Sequence, residues 1–244
     1  MSQPPLCVRE GNVTTATQQV TRDEAQIIRG LPFLKGLSEP DLERVTAAVR
    51  RRTYRRGDLI HHEDDLAGDC FVVVRGQVKH RLTALDGRQI THKFSSTGVF
   101  FGMISVLDHK RRAGDAVAVT DTELMVIDGD LIAEIRQKHP SANAALLEFT
   151  TTGVRHVLGL LHDLAFLSVP MRLAKVLLQY AEEDASGLYI PAYLNQMELA
   201  FLVATTRESV NQTLKRFARE GWVAFDKRLL RITDVEGLRR SISD

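Results

Sequence analysis

The sequence contains only two cysteines, and this scarcity excludes several kinds of site. Cys7 and Cys70 are too few for a disulfide scaffold and too few for the four thiolates of an iron–sulfur cluster. Uninterrupted apolar runs are also short, far below the roughly 20 residues of a membrane-spanning helix. The amino terminus lacks the basic start and apolar stretch of a secretory signal. We therefore expect a cytoplasmic protein with reduced thiols and no membrane partner.

The net charge is close to zero: the chain has 32 Lys and Arg and 31 Asp and Glu, which gives a formal net charge of +1. A neutral chain gives no general argument for nucleic-acid binding, so such a function must rest on a local patch of charge. The rest of the composition, 44% apolar and 26% charged among 244 residues, is that of a globular protein long enough for two domains.

The pattern of the sequence divides the chain into four predicted regions. Residues 1–22 are rich in Thr and Gln, lack apolar periodicity and are expected to form a mobile tail. Residues 23–138 begin with helical patterns, including a capped helix over 38–51, and continue as short runs punctuated by glycine. Residues 139–168 are expected to form a long helix and a hinge, and residues 169–244 a second domain.

The glycine-punctuated runs predict a small antiparallel roll of β-strands. Val78, His80 and Leu82 alternate with charged residues, which is the period of a half-buried strand. Asp86 and Gly87 lie between two such runs and predict a two-residue hairpin turn whose central residues both have positive φ. Because strands do not alternate with helices, we expect an α+β fold without a parallel sheet.

The long helix carries two apolar stripes. One resembles a coiled-coil seam and consists of Leu146, Thr150, Gly153, Val157, Leu160, Leu164 and Leu167. The stripe beside it consists of Leu147, Val154, Leu158, Leu161 and Ala165. Two apolar stripes require two packing partners. The strand domain of the same chain is expected to be one partner. A second copy of the chain is the expected second packing partner, with the seam as the interface of a homodimer. The alternative is a helix buried within one subunit.

Two short helices are predicted after an expected loop at 182–187. Asn195 can cap the first helix, and Thr206 can cap the second after a tight turn at Ala204 and Thr205. The second helix has an apolar inner face and a polar outer face. A pair of short helices joined in this way, followed by a basic hairpin, is typical of a winged helix-turn-helix.

The outer face of the second helix carries side chains that can read base edges. Arginine suits guanine, Asn and Gln suit adenine, and Glu suits the cytosine amino group. Residues 205–231 hold seven Lys or Arg and three Asp or Glu, so the charge that the whole chain lacks is concentrated here. The alternative is an ordinary solvated helix face. The predicted DNA-contact residues are Thr206, Arg207, Glu208, Ser209, Asn211, Gln212, Lys215, Lys227 and Arg228.

Several motifs together resemble the bacterial CRP/FNR regulators. Residues 206–210 (TRESV) resemble the start of the family's recognition helix, and residues 163–167 (DLAFL) resemble the hinge after its dimer helix. Residues 54–60 and 74–79 resemble signatures of its strand roll, which is a cyclic-nucleotide-binding-like domain. The resemblance spans roughly residues 31–240. It implies a homodimer on near-palindromic duplex DNA, with RNA polymerase as a further partner, and base contacts by Arg207, Glu208 and Gln212.

The resemblance also indicates a degenerate ligand pocket at Gly102, Met103, Arg112 and Ala113. Arg112 is retained and suits a cyclic phosphate, but Met103 replaces the glutamate that accepts a ribose hydroxyl in the family. Val157 and Leu158 replace the Thr/Ser pair that meets adenine. Three outcomes stay open: weak or altered cyclic AMP binding, another signal, or none, with Arg112 then part of a basic loop. If the pocket keeps the family's geometry, Met103→Glu is expected to tighten cyclic AMP binding.

Two rival functions remain at this point. The chain could be the cyclic-nucleotide regulatory module of an enzyme, or a redox or gas sensor on the same scaffold. No catalytic motif is present and the spacing of the histidines demands no metal, so we expect neither enzymatic activity nor a bound metal. Cys7 is the thiol that a redox sensor would use, because it lies in the expected tail.

Overall fold

A computed structural model describes residues 21–226 and 229–243. They pack as two compact units, one within residues up to 82 and 93–154, the other within 83–92 and from 155 onward. The expected tail, with Cys7, lies outside the described residues except at its end. Lys227 and Arg228, two predicted DNA contacts, lie outside them as well.

The first unit begins with capped helices. Thr21 and Glu24 form a reciprocal capping box at the start of α1 (Arg22–Gly30), a 3₁₀ turn follows at Pro32–Leu34, and Ser38 caps α2 (Glu39–Ala48). The predicted helix over 38–51 is too long. The chain leaves α2 at Ala48 because the next residues pair with a distant strand, and that pairing overrides local helical periodicity.

Two four-stranded antiparallel sheets form the predicted roll. One has the strand order β1-β8-β3-β6 and the other β2-β7-β4-β5. The strands are β1 (Arg50–Tyr54), β2 (Leu59–His61), β3 (Asp69–Arg75), β4 (Val78–Thr83), β5 (Gln89–Ser95), β6 (Phe100–Phe101), β7 (Asp115–Ala118) and β8 (Thr122–Asp128). A short helix, α3 (Met103–Asp108), follows β6. The predicted α+β class with an antiparallel roll is confirmed.

The hairpin between β4 and β5 differs from the two-residue turn that the sequence predicts. The amide of Ala84 donates to the carbonyl of Arg88 at 2.8 Å, and the amide of Gly87 donates to the carbonyl of Ala84 at 2.8 Å. Gly87 has φ 83°, while the φ of Asp86 is not positive. The connection is therefore a three-residue loop whose last residue is left-handed, a geometry that requires only one glycine.

Two long helical segments follow the roll. Helix α4 spans Gly129–Lys138 and α5 spans Pro140–Phe166, so the helical pattern breaks at His139, directly before Pro140, close to the predicted break. Ala142 and Leu146 of α5 are buried in the core of the first unit, and Phe149 lies against Phe100 with ring centroids 4.1 Å apart. No helix in the described part of the chain has both the length and the apolar character needed to cross a membrane.

The second unit contains the carboxyl-terminal part of α5, four further helices and one sheet. After α6 (Val169–Tyr180) come β9 (Glu182–Asp184), β10 (Gly187–Ile190), α7 (Gln196–Leu202), α8 (Arg207–Arg219), β11 (Val223–Asp226), β12 (Leu229–Ile232) and α9 (Val235–Ser243). The strand order is β11-β12-β10-β9. The loop expected at 182–187 is thus a β-hairpin, because β9 pairs with β10.

Candidate nucleic-acid interface and ligand pocket

Helices α7 and α8 are fixed at their starts by the two predicted caps. The side-chain oxygen of Asn195 accepts hydrogen bonds from the amides of Met197 (2.9 Å) and Glu198 (3.2 Å). The Thr206 hydroxyl accepts one from the amide of Ser209 at 3.2 Å. The inner faces are buried through Leu199, Leu202 and Val203 on α7 and Val210, Leu214 and Phe217 on α8. Burial of these faces leaves the outer face of α8 to solvent.

The outer face of α8 presents four of the predicted contact residues. Arg207, Glu208, Gln212 and Lys215 are all exposed on α8. Arg207 and Glu208 occupy its first turn, and Gln212 and Lys215 follow toward its middle. One guanidinium, one carboxylate, one amide and one ammonium therefore face the same solvent region, which is the chemistry that base edges and phosphates require.

Other predicted contacts have structural partners instead. Thr206 and Ser209 bond each other at the helix start, with 3.2 Å between their hydroxyls. The Asn211 amide donates to the side-chain oxygen of Gln196 on α7 at 3.2 Å, so Asn211 joins the two helices. Sequence reasoning missed Gln196, because its role depends on how closely α7 and α8 cross.

Arg231 has a different role from the phosphate contact that its place in the basic hairpin suggests. Its guanidinium bonds both carboxylate oxygens of Asp184 at 3.1 and 3.0 Å and one of Asp226 at 3.3 Å. It also lies over the Tyr189 ring. These bonds raise the pKa of Arg231 and lower the pKa of Asp184. Arg231 thus fastens β12 to β9, and its charge is locally balanced.

The turn between α7 and α8 holds Ala204 in a left-handed conformation, with φ 49°. We expect Ala204→Val to lower the free energy of unfolding by about 1–2 kcal/mol or more, because a β-branched side chain clashes in this region. Ala204→Gly is the matched control and should change it by less than about 1 kcal/mol. Urea unfolding of both variants measures the difference. Equal stability of the two would mean that the turn is not left-handed.

In the first unit, Arg112 is almost completely buried beside Gly102. The Arg112 side chain donates to the carbonyls of Gly102 at 3.0 Å and Asp69 at 2.6 Å, and it lies over the Phe71 ring. Its Nε has no hydrogen-bond partner among the described residues. Burial lowers the pKa of Arg112 from its ordinary value, an effect that Asp69 opposes. The alternative of a basic surface loop is wrong for Arg112, which is 4% exposed.

Met103 lies in the apolar core of the first unit. It is 1% exposed and belongs to the cluster that contains Ile28, Phe33, Met125 and Ile127. A side chain in this cluster cannot serve as a ribose acceptor without leaving the core. The position matched to the family's glutamate therefore contributes packing, and the expectation that Met103→Glu strengthens ligand binding is replaced by one of lost stability.

A solvent-open cavity of about 490 Å³ lies next to Arg112. Its lining includes Arg52, His61, Asp69 and Phe71. The two ring nitrogens of His61 are buried without a hydrogen-bond partner among the described residues. Burial, with the Arg112 cation as a second cause, lowers the pKa of His61 to about 4, so the ring is neutral near pH 7. Ala113 lines a neighbouring surface groove, to which Arg112 also contributes.

The predicted seam on α5 is not uniformly available to a partner. Leu146 is 3% exposed and belongs to the core of its own unit, so it is not an interface residue. Thr150, Leu160 and Leu167 are half-buried, whereas Gly153, Val157 and Leu164 are exposed. The apolar face that reaches solvent, here called the outer face of α5, combines members of both predicted stripes. It consists of Leu147, Val154, Val157, Leu158, Leu161 and Leu164.

Two protein-family models match the chain in series. The model described as a cyclic nucleotide-binding domain matches residues 51–139. The model described as a Crp-like helix-turn-helix domain matches residues 171–241. The first match covers the roll with Arg112 and its cavity, and the second covers the surface formed by α7 and α8.

Relatives with stated roles match over most of their length. A CRP-like cAMP-activated global transcriptional regulator of Mycobacterium tuberculosis is 27% identical, over 88% of this chain and 98% of that protein. A cyclic AMP receptor protein of Thermus thermophilus is 29% identical, over 80% of this chain and 89% of that protein. The solved structure of FixK2 from Bradyrhizobium japonicum has a TM-score of 0.72 at 21% identity, over 79% of this chain and 96% of that one. This structural likeness shows a shared fold.

Proposed function

Because the chain belongs to the CRP/FNR family of transcriptional regulators, we propose that it binds near-palindromic promoter sites as a homodimer. In this proposal, α8 of each copy enters the major groove, with the two helices one helical turn apart. The observation that carries it is the exposed set of Arg207, Glu208, Gln212 and Lys215 on one face of α8. We further propose that the protein acts in the cytoplasm on RNA polymerase-dependent transcription and catalyses no reaction.

The homodimer rests on the outer face of α5. Val154, Val157, Leu158 and Leu161 are each more than half exposed, and they follow one another along two turns of a single helix. A continuous apolar face of this kind is costly in water and is removed when a second copy covers it. The proposed interface therefore keeps Gly153, Val157 and Leu164 from the predicted seam and adds the neighbouring stripe.

Cyclic AMP is supported as an effector only in a weak or altered binding mode. Relatives whose names mention cyclic AMP support this effector. Against it, Met103 lies in the core and Val157 and Leu158 are apolar, so none of the three supplies the polar group that would contact the ribose or the adenine. The buried Arg112 and the cavity beside it support binding of some anion-bearing signal. We expect cyclic AMP to bind about ten- to a hundredfold more weakly than it would to a pocket that keeps the charged acceptor, which is the factor of one charged hydrogen bond. Calorimetric titration paired with duplex binding tests this.

The rival functions predict different behaviour. A regulatory module of an enzyme would bind no duplex selectively. A redox sensor that uses Cys70 is disfavoured, because this thiol is fully buried and burial raises its pKa to about 12. Cys7 lies outside the described residues. Duplex binding by the purified protein before and after treatment with an oxidant tests whether Cys7 makes the protein a redox sensor.

The experiment that tests the proposed function is selection of duplexes from a random pool by the purified chain. We expect enrichment of a near-palindrome whose binding falls steeply with salt, since phosphate contacts release counterions. No enrichment of any sequence, or binding that salt does not weaken, would contradict the proposal.

Arg207→Ala should cost about 1–3 kcal/mol of binding to the selected duplex and relax selectivity at one base pair of each half-site. Lys215→Ala is the comparison, since loss of a phosphate contact should weaken all sequences alike. Competition binding against duplexes substituted at each position separates the two. A uniform loss for Arg207→Ala would contradict its assigned role.

A further inference from the structure

The structure assigns a positioning role to Arg172 that nothing in the sequence motifs suggests. We infer that its guanidinium sets the orientation of α8 relative to the end of α5 by bonding the terminal carbonyls of two helices at once. This inference rests on the proposed function, because orientation matters only where two copies of α8 must match two half-sites.

Arg172 forms a joint between three segments of the second unit, namely α6, the end of α5 and the end of α7. It lies in the first turn of α6, where its amide donates to the carbonyl of Ser168 at 3.0 Å. Its Nη1 donates to the carbonyl of Leu167, just after α5, at 2.9 Å. Its Nε donates to the carbonyl of Val203, the residue that ends α7, at 3.0 Å.

The chemistry of this joint suits arginine in particular. Carbonyls at the ends of helices carry partial negative charge and have no partner within the helix. A planar guanidinium offers donors in a fixed fork, so it can hold two such carbonyls in one relative orientation. An ammonium group is a point charge and imposes no comparable angle.

The place of Val203 in the chain explains why this bond can control α8. Val203 directly precedes the left-handed Ala204, and Thr206, the cap of α8, follows two residues later. Three residues therefore separate the anchored carbonyl from the helix start. Because the connection is this short, a change in the backbone orientation of Val203 is expected to change the orientation of Arg207 and of α8.

A neighbouring ion pair joins α6 to α5 but does not involve the turn between α7 and α8. Lys175, one turn beyond Arg172 on α6, bonds both carboxylate oxygens of Asp163 on α5 at 2.8 and 2.6 Å. Asp163 is 9% exposed, whereas the Lys175 side chain is 45% exposed, so this pair is a partly exposed link between α6 and α5. Loss of Arg172 should then leave the two long helices joined while it frees the turn before α8.

The test uses full-length wild-type protein and the variants Arg172→Gln, Arg172→Lys and Arg239→Gln. Arg239 is exposed on α9 and pairs with Glu236, so its variant controls for loss of one arginine charge. Affinity is measured for the selected duplex, for the same duplex with one base pair added between the half-sites, and for an isolated half-site.

We expect Arg172→Gln to bind the selected duplex about tenfold more weakly, to bind the half-site almost normally, and to lose most of the preference for the native spacing. Arg172→Lys should lie between it and wild type, and Arg239→Gln should keep the wild-type spacing preference.

Several results would overturn the inference. An unchanged spacing preference in Arg172→Gln, or an equal loss on half-site and full site, would assign Arg172 to charge or folding alone. If Arg172→Gln unfolds, Arg172→Lys decides, and a wild-type spacing preference in that variant overturns the inference. A wild-type protein that prefers no duplex would refute the proposed function instead.

Discussion

Leu161→Arg should convert the proposed dimer to a monomer and weaken binding to the selected duplex by about a hundredfold or more, because the second half-site then no longer adds to affinity. Leu161 is 61% exposed within the outer face of α5. In a twofold interface, the substitution brings two buried positive charges close together and removes two apolar side chains. Sedimentation velocity measures the assembly, and a titration with labelled duplex measures the affinity.

The matched control for this prediction is Leu85→Arg. Leu85 lies at the tip of the hairpin between β4 and β5 and is fully exposed, so it receives the same substitution outside the outer face of α5. It should leave both the assembly and the duplex affinity unchanged. A dimeric Leu161→Arg protein with wild-type affinity would show that the outer face of α5 is not the interface.

Met103→Glu should lower the free energy of unfolding by about 3–5 kcal/mol at neutral pH, because it places an unpaired carboxylate in an apolar core. The matched control is Met103→Leu, which keeps volume and polarity and should cost less than about 1.5 kcal/mol. Urea unfolding of the two variants at several pH values gives the difference. Any cyclic AMP binding is measured on the same samples.

The pH dependence of this difference has a definite sign. Burial raises the pKa of a carboxyl group in the folded state above the roughly 4.3 of a free glutamate. The destabilisation is therefore smallest below that unfolded pKa, where both states are protonated, and grows as pH rises to the folded pKa. A Met103→Glu protein as stable as Met103→Leu, with tighter cyclic AMP binding, would place this side chain in the ligand pocket after all.

Features fixed by local contacts were predictable from the sequence. Asn195 and Thr206 bond amides two or three residues ahead, so their types and spacing sufficed to predict the starts of α7 and α8. The break at Pro140 is equally local, since the residue before proline avoids helical geometry. The antiparallel roll followed from the short alternating runs and their glycines.

Features that depend on distant partners were not predictable in the same way. Strand β1 is rich in charge and becomes a strand by pairing with β8, and β9 has the composition of a loop but pairs with β10. Arg231 looks like a phosphate contact until Asp184 is placed beside it. The core position of Met103 and the two carbonyls held by Arg172 likewise depend on tertiary packing.

In the proposed function, α8 reads bases in the major groove twice per assembly. Dimethyl sulfate protection of the selected duplex tests it most directly, because this reagent methylates guanine N7 in the major groove. We predict two symmetry-related clusters of protected guanines, centred about 10 base pairs apart on one face of the duplex. Protection of a single cluster, or of no major-groove guanine in a tightly bound complex, would show that α8 does not read the two half-sites in this way.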